Sequence, residues 1–164
     1  MRIIVLFVAL SMASSFSAQA ANRNQGVAPP AGWSSNGPAP ADEYFGRMKM
    51  SVLGIHNELM RLSVQAKRDP AHPERVANLA ALLENSIHDW EQHYPRDPWL
   101  ARHIYGLARV YAVMRSADGH IRAFHTFEWL ARRYHSTQYS GYAVAEISRM
   151  AHYNLIAPKA NRRR

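Results

Sequence analysis

The sequence predicts an all-α protein of about five antiparallel helices, arranged as a short solenoid of helical hairpins or as a bundle. Three observations lead there. Apolar residues recur at spacings of three and four through most of residues 45–150, and no stretch alternates with the period of two that a half-buried strand requires. Breaker pairs punctuate that pattern at Asp69-Pro70, Tyr94-Pro95, Asp97-Pro98 and Asp118-Gly119. The joints between are short, about two to five residues, which suits antiparallel neighbours.

Ahead of the helices stand two segments of different composition. In residues 1–20, Arg2 precedes an apolar run from Ile3 to Leu10, and a small, polar stretch closes on Ala18-Gln19-Ala20. This is the three-part pattern of a secretory signal peptide, with cleavage expected after Ala20. The apolar run is about ten residues long, where roughly 20 are needed to span a bilayer. Export to the periplasm, or secretion, is therefore expected. Residues 21–41 are Pro, Gly, Ala, Ser and Asn without a period, the composition of a disordered linker, with Trp33 its one large apolar residue.

The helical domain is expected over residues 42–153. Asp42 stands as a candidate N-cap. Phe45, Met48, Val52, Ile55, Leu59 and Leu62 follow as six consecutive positions of a heptad seam. Leu53 and Met60 widen that stripe, which implies a helix packed on more than one neighbour. The helix should stop near Arg68. Pro73 opens the second helix as a first-turn proline, and Val76, Ala80, Leu83, Ile87, Trp90 and Tyr94 form its stripe. Asp97 and Pro98 restart the chain as cap and first turn of a third helix carrying Leu100, Ile104, Leu107, Tyr111 and Met114. Asp118-Gly119 should break it. The fourth carries Ala123, Phe127, Leu130 and Tyr134. A fifth starts near Ser136 or Ser140 with Tyr142, Ala145 and Met150, and residues 154–164 form a basic tail.

A repeat of forty residues runs through the second half. Leu83, Ile87, Trp90, Tyr94 and Trp99 precede Ala123, Phe127, Leu130, Tyr134 and Tyr139 by that interval. Such a period marks solenoids. Each corner aromatic should plug the gap between one hairpin and the next, so Trp90, Tyr94 and Trp99 are expected to pack together, and likewise Phe127, Tyr134 and Tyr139. The second window, from Ala123 through Phe127, Leu130 and Tyr134 to Ser136 and Tyr139, resembles the second helix and corner of tetratricopeptide repeats in bacterial envelope proteins. The likeness spans residues 73–153. It departs at the third helix, which lacks the Trp-Leu-Gly-Tyr signature, and at His135, which stands where the first copy has Pro95. The resemblance implies protein or peptide binding without catalysis.

Charge and chemistry narrow the function further. Without Arg2 the chain carries 19 Lys/Arg against 12 Asp/Glu, a charge of +7 with His neutral. For an exported chain the polyanions within reach are anionic lipid, lipopolysaccharide and wall polymers, and no nucleic acid is expected. With no Cys there is no disulfide, thiolate metal site or covalent haem attachment. The nine His contain no pair at i and i+4, the spacing that puts two ligands on one helix face. His88/His93 and His120/His125 are five apart and point to different sides. No G-x-S-x-G elbow or phosphate-cradling Gly-rich loop is present. The expectation is no catalytic residue, no metal and no cofactor. One candidate binding surface emerges on the third helix, where Arg102, Tyr105 and Arg109 share a face opposite the apolar stripe. Arg and Tyr suit peptide, carboxylate or phosphate contact.

The reading is thus an exported, non-catalytic binding or scaffold protein of the envelope that recognises a protein or peptide. The runner-up is a basic chaperone-like or polyanion-binding protein, with a homodimer contact through residues 45–62. A divergent enzyme or cofactor protein is third.

Overall fold

The computed structural model describes the backbone of residues 37–160 and the side chains of residues 37–152. The signal peptide, its cleavage site, Trp33 and most of the linker lie outside the described residues, as do the side chains of the basic tail. Five helices make up the fold: α1 (Val52–Arg68), α2 (Pro73–His93), α3 (Leu100–Val113), α4 (Ala117–Arg133) and α5 (Gln138–Ala160). No strand occurs among the described residues, and none of these helices is long and apolar enough to cross a membrane. Each helix packs on the next, and α3 also packs on both α1 and α5. The core is continuous from Phe45 to Ala143, with α3 at its centre: Leu100, Ile104, Leu107, Ala108 and Tyr111 are all fully buried.

The first helix begins at Val52, seven residues later than its seam at Phe45 suggests. Gly46 (φ +67°) and Lys49 (φ +50°) are left-handed. The chain closes a tight turn there, with Phe45 and Met50 exchanging N–H···O bonds of 2.9 and 3.0 Å. Those bonds use the backbone groups a helix would need. Ser51 is the actual N-cap, and its hydroxyl accepts from the Gly54 N–H at 3.2 Å. Asp42 caps nothing, Phe45 enters the core from the turn, and Met48 is exposed. Of the seam positions that remain helical, Ile55, Leu59 and Leu62 are buried within the chain's own core and Val52 is half-buried.

The end of the expected linker also belongs to the fold. Ala39 N–H donates to Asp97 Oδ2 at 2.8 Å. Gly46 N–H donates to Asp89 Oδ2 at 2.7 Å, and Arg47 N–H to Asn85 Oδ1 at 3.1 Å. Residues 39–47 are thus fastened to α2 and to the α2–α3 corner. Buried Asp97 is the principal fastener, since it also accepts from Trp90 Nε1 (3.0 Å) and the Trp99 N–H (2.9 Å). It caps the turn leading into α3 rather than the helix itself, which starts at Leu100.

Asp118-Gly119 does not break α3. The break is Met114–Ser116, with Met114 extended and Ser116 capping α4 through the Gly119 N–H at 3.0 Å. Asp118 lies in the first turn, where a carboxylate favours the helix dipole. In α5 the inward residues are Ala143, Ile147 and Met150, while Tyr142 and Ala145 face outward. The helix continues to Ala160, past the expected boundary at 153.

The forty-residue repeat is real at the corners. Tyr94 N–H bonds Trp90 O and Tyr134 N–H bonds Leu130 O. The next bonds repeat in step: Asp97 to Tyr94 as Thr137 to Tyr134, both 3.0 Å, then Leu100 to Asp97 as Ser140 to Thr137, at 3.2 and 3.1 Å. The aromatic filling differs from expectation. Trp90 and Tyr94 are buried, but the ring against them is Phe45, stacked on Trp90 and edge-on to Tyr94 with centroids 5.9 Å away in each case. Trp99 is 50% exposed and leaves the corner. At the second corner Tyr105 bridges Phe127 and Tyr139 (5.9 Å each), and the Tyr134 hydroxyl reaches Glu91 instead.

Candidate functional site: the cleft at Trp99

The three residues expected to share a free binding face are separated by the fold. Tyr105 is half-buried among Phe127, Tyr139 and Tyr142. Arg109 donates to Glu146 of α5 at 3.0 Å. Helix α5 therefore lies along that face of α3 at Tyr105 and Arg109. Only Arg102 remains open, with its guanidinium 5.9 Å from the centroid of the Trp99 ring. The packing of α5 on α3 is a long-range contact that no local spacing announces.

Arg102 and Trp99 line an open, largely apolar cleft of about 460 Å³. Its walls come from Pro38 and Ala39 before the first turn, Leu53 and His56 on α1, and the start of α3. Asp97 positions two of those walls at once, through Ala39 and Trp99. Leu53 is 67% exposed at the rim. A tryptophan and a leucine held open beside one guanidinium offer apolar area with a single charge to orient a ligand.

His103 lies at the base of the cleft, 4% exposed. Its Nδ1 is 2.7 Å from Trp99 O, and a carbonyl only accepts, so Nδ1 carries the proton. Nε2 is buried and makes no hydrogen bond among the described residues. The Trp90 and His56 rings stand edge-on at 5.1 and 5.7 Å. Burial pushes the His103 pKa down, and the Trp99 carbonyl only partly offsets it; nearby His56 and Arg102 push it further down. The unfolded chain therefore binds a proton more readily than the fold does. This stabilising contribution is complete above the unfolded value of about 6.5 and is lost as pH falls through the lowered folded value. The slope is at most about 1.4 kcal/mol per pH unit. The expected result is a melting temperature that drops between neutrality and mild acid in the native chain, and less steeply in His103→Phe. Parallel profiles would show that another group carries the acid sensitivity.

A second cavity, about 540 Å³ between the two corners, is lined by Arg96, Pro98, Arg133, Tyr134 and Thr137 among others. Two of its lining residues, Arg133 and Tyr134, join a polar network built on Glu91. Glu91 accepts from Tyr134 (2.9 Å), Arg133 (3.3 Å) and Trp129 (3.4 Å). Burial raises its pKa, but the bonds from His88, Tyr134 and Trp129 and the Arg133 charge outweigh that and hold the carboxyl below its ordinary range. This network ties α2 to α4. Four other His stand beside a carboxylate: His72 with Glu74, His88 with Glu91 and stacked on Trp129 (4.1 Å), His93 with Asp89, and His125 with Glu128. Among the described residues no three His, Asp or Glu come together as a metal site.

The cleft was only half legible in the sequence. Arg102 and Trp99 were both singled out, but for different roles, and Leu53, His56 and His103 come from elements that meet only in the fold. No protein-family model, curated protein or solved structure matches this chain.

Proposed function

We propose that this chain is an exported, non-catalytic binding protein of the cell envelope that recognises a protein or peptide partner at the Trp99 cleft. The carrying observation is the exposure of Trp99 and Leu53 on either side of Arg102. Tryptophan and arginine are the residues most often found to dominate binding energies, and a half-exposed indole has no structural task that a smaller residue could not perform. The leader pattern of residues 1–20 supports export. The repeating corners at Tyr94 and Tyr134, with α1, α3 and α5 in contact along one layer, support the likeness to tetratricopeptide hairpins. The absence of catalysis is part of the proposal.

The excess of basic residues favours one second reading, binding to anionic lipid, lipopolysaccharide or wall polymer. Salt separates the two, because polyanion binding weakens steeply with ionic strength and an apolar cleft tolerates it.

The test is capture of envelope proteins by the immobilised mature chain, compared with Trp99→Ala and Arg102→Glu. Both side chains are exposed, so melting temperatures should hardly move. Retention of the partner should fall at least roughly tenfold, the loss of about 1.4 kcal/mol or more expected for an anchor residue. Undiminished retention by folded variants would reject the cleft.

A further inference from the structure

Helix α1 has two apolar faces, and among the described residues only one is covered. Ile55, Leu59, Leu62 and Ala66 are buried in the core. Two residues before each of them stand Leu53, Asn57, Met60 and Val64. Two residues are about 200° around a helix of ~3.6 residues per turn, so this second row lies diametrically opposite the core. Leu53, Met60 and Val64 are 67%, 58% and 45% exposed, and Asn57 is exposed between them. The spacing of four, three and four is a coiled-coil seam about 16 Å long with one polar position. Solvent-facing rows normally carry charge, and an apolar seam at this spacing is built to meet another helix.

The residues flanking the row decide what kind of helix. One flank carries Arg61 and Arg68, exposed, and the other His56 and Ser63. Lys67 continues the basic end. A depression between Met60 and Val64 is bordered by Arg61 and Arg68 themselves. Glu58 is the only carboxylate on α1 and is paired with Arg61, which also donates to Gln65, so the charges beside the row that no carboxylate of α1 meets are Arg68 and Lys67. In coiled coils the flanking positions set partner choice through charge. A second copy of this chain, antiparallel, would set Arg61 and Arg68 against each other, and a parallel copy would set them against His56 and Ser63. Neither supplies a carboxylate. A membrane surface fits poorly too, because an interfacial helix presents a broad apolar face and this one is a single row interrupted by Asn57.

We propose that the outward face of α1, Leu53–Asn57–Met60–Val64, is a docking seam for an acidic amphipathic helix of a partner protein. The proposal rests on reading the chain as a binding protein, but Met60 and Val64 lie outside the Trp99 cleft, so the two surfaces can fail separately.

The probe is a synthetic helix with Leu at its seam positions, one Asn placed to face Asn57, and Glu at the flanking positions. Its control has Lys in place of every Glu. Titrated into the mature protein, the Glu peptide should bind saturably and more weakly as salt rises, and the Lys peptide should not bind. Met60→Gln with Val64→Gln should reduce affinity at least roughly tenfold with an unchanged melting temperature. Trp99→Ala should leave peptide affinity within about twofold. No saturable binding, equal binding of both peptides, or binding indifferent to Met60 and Val64 would overturn the proposal. So would a dimer in sedimentation that dissociates in the double variant, or binding to anionic vesicles that depends on the same two residues. Peptide binding lost only on Trp99→Ala would reject the seam and leave the cleft. An intact seam result, with envelope capture indifferent to Trp99 and Arg102, would do the reverse.

Discussion

Trp90→Ala is expected to destabilise the fold by about 3–5 kcal/mol. The indole is fully buried at the centre of the first corner. Phe45 stacks on one side of it and His103 stands edge-on at 5.1 Å. Its Nε1–H donates to Asp97, whose carboxylate also holds Ala39 and Trp99. Truncation would open a cavity where α2, α3 and the leading segment meet, and would remove one of three bonds on a buried charge. Trp90→Phe should cost less, because it keeps the stacking area and loses the bond. Urea unfolding followed by circular dichroism measures both. A cost within about 1 kcal/mol for Trp90→Ala would mean that the corner collapses around the gap, contrary to the close packing described.

Gly46→Ala should be nearly as damaging, by about 2–5 kcal/mol. Two effects add. A side chain in the left-handed region costs roughly 1–2 kcal/mol, and overpacking typically a further 1–3 kcal/mol. Gly46 has φ +67°, and a Cβ there would sit 2.6 Å from Ser86 Cα and 2.4 Å from Ser86 Oγ. The Oγ could rotate away, but the Cα is backbone of α2 and cannot move without its helix. Adding Ser86→Gly should therefore restore only part of the loss. Gly141 is the control: nothing lies within 4 Å of its would-be Cβ on α5, so Gly141→Ala should stabilise by about 0.4–1 kcal/mol. Equal effects at the two positions would mean that the 45–50 turn does not press on α2.

The helices that the sequence announces well are those whose stripes and caps agree. For α2, Pro73 marks the start, Val76 to Trp90 define the inward row, and Tyr94-Pro95 marks the end. Where the reading failed, spacing alone was ambiguous. Phe45 and Met48 continue the α1 seam by number, yet Gly46 between them is left-handed and the chain turns there instead. Leu53 and Met60 suggested a second neighbour for α1, and among the described residues none is there. Trp99 matched Tyr139 in the repeat and still turned outward, because Phe45, arriving from more than forty residues upstream, fills the space beside Trp90. Tyr105 and Arg109 lost their free face to α5. Each of these is a contact between distant segments, and local periodicity carries no information about which distant segment wins a shared space. The cleft follows the same logic, since its walls are brought together by Asp97 bonds to Ala39 and Trp99.

The matching corners make the length of this protein adjustable. The chain enters the α2–α3 corner at Tyr94 and the α4–α5 corner at Tyr134 through the same succession of backbone bonds. A stretch duplicated from Tyr94 to Arg133 would leave one corner and rejoin the chain at its equivalent, adding a helix pair without a change of direction. In such arrays stability grows by increments, one unit and one neighbour contact at a time. The Trp99 cleft lies where the leading segment, α1 and the start of α3 meet, and the outer row belongs to α1, so helix pairs added after Arg133 would leave both untouched. An addition of that kind would thus lengthen the far end of the fold and leave its leading end as it is.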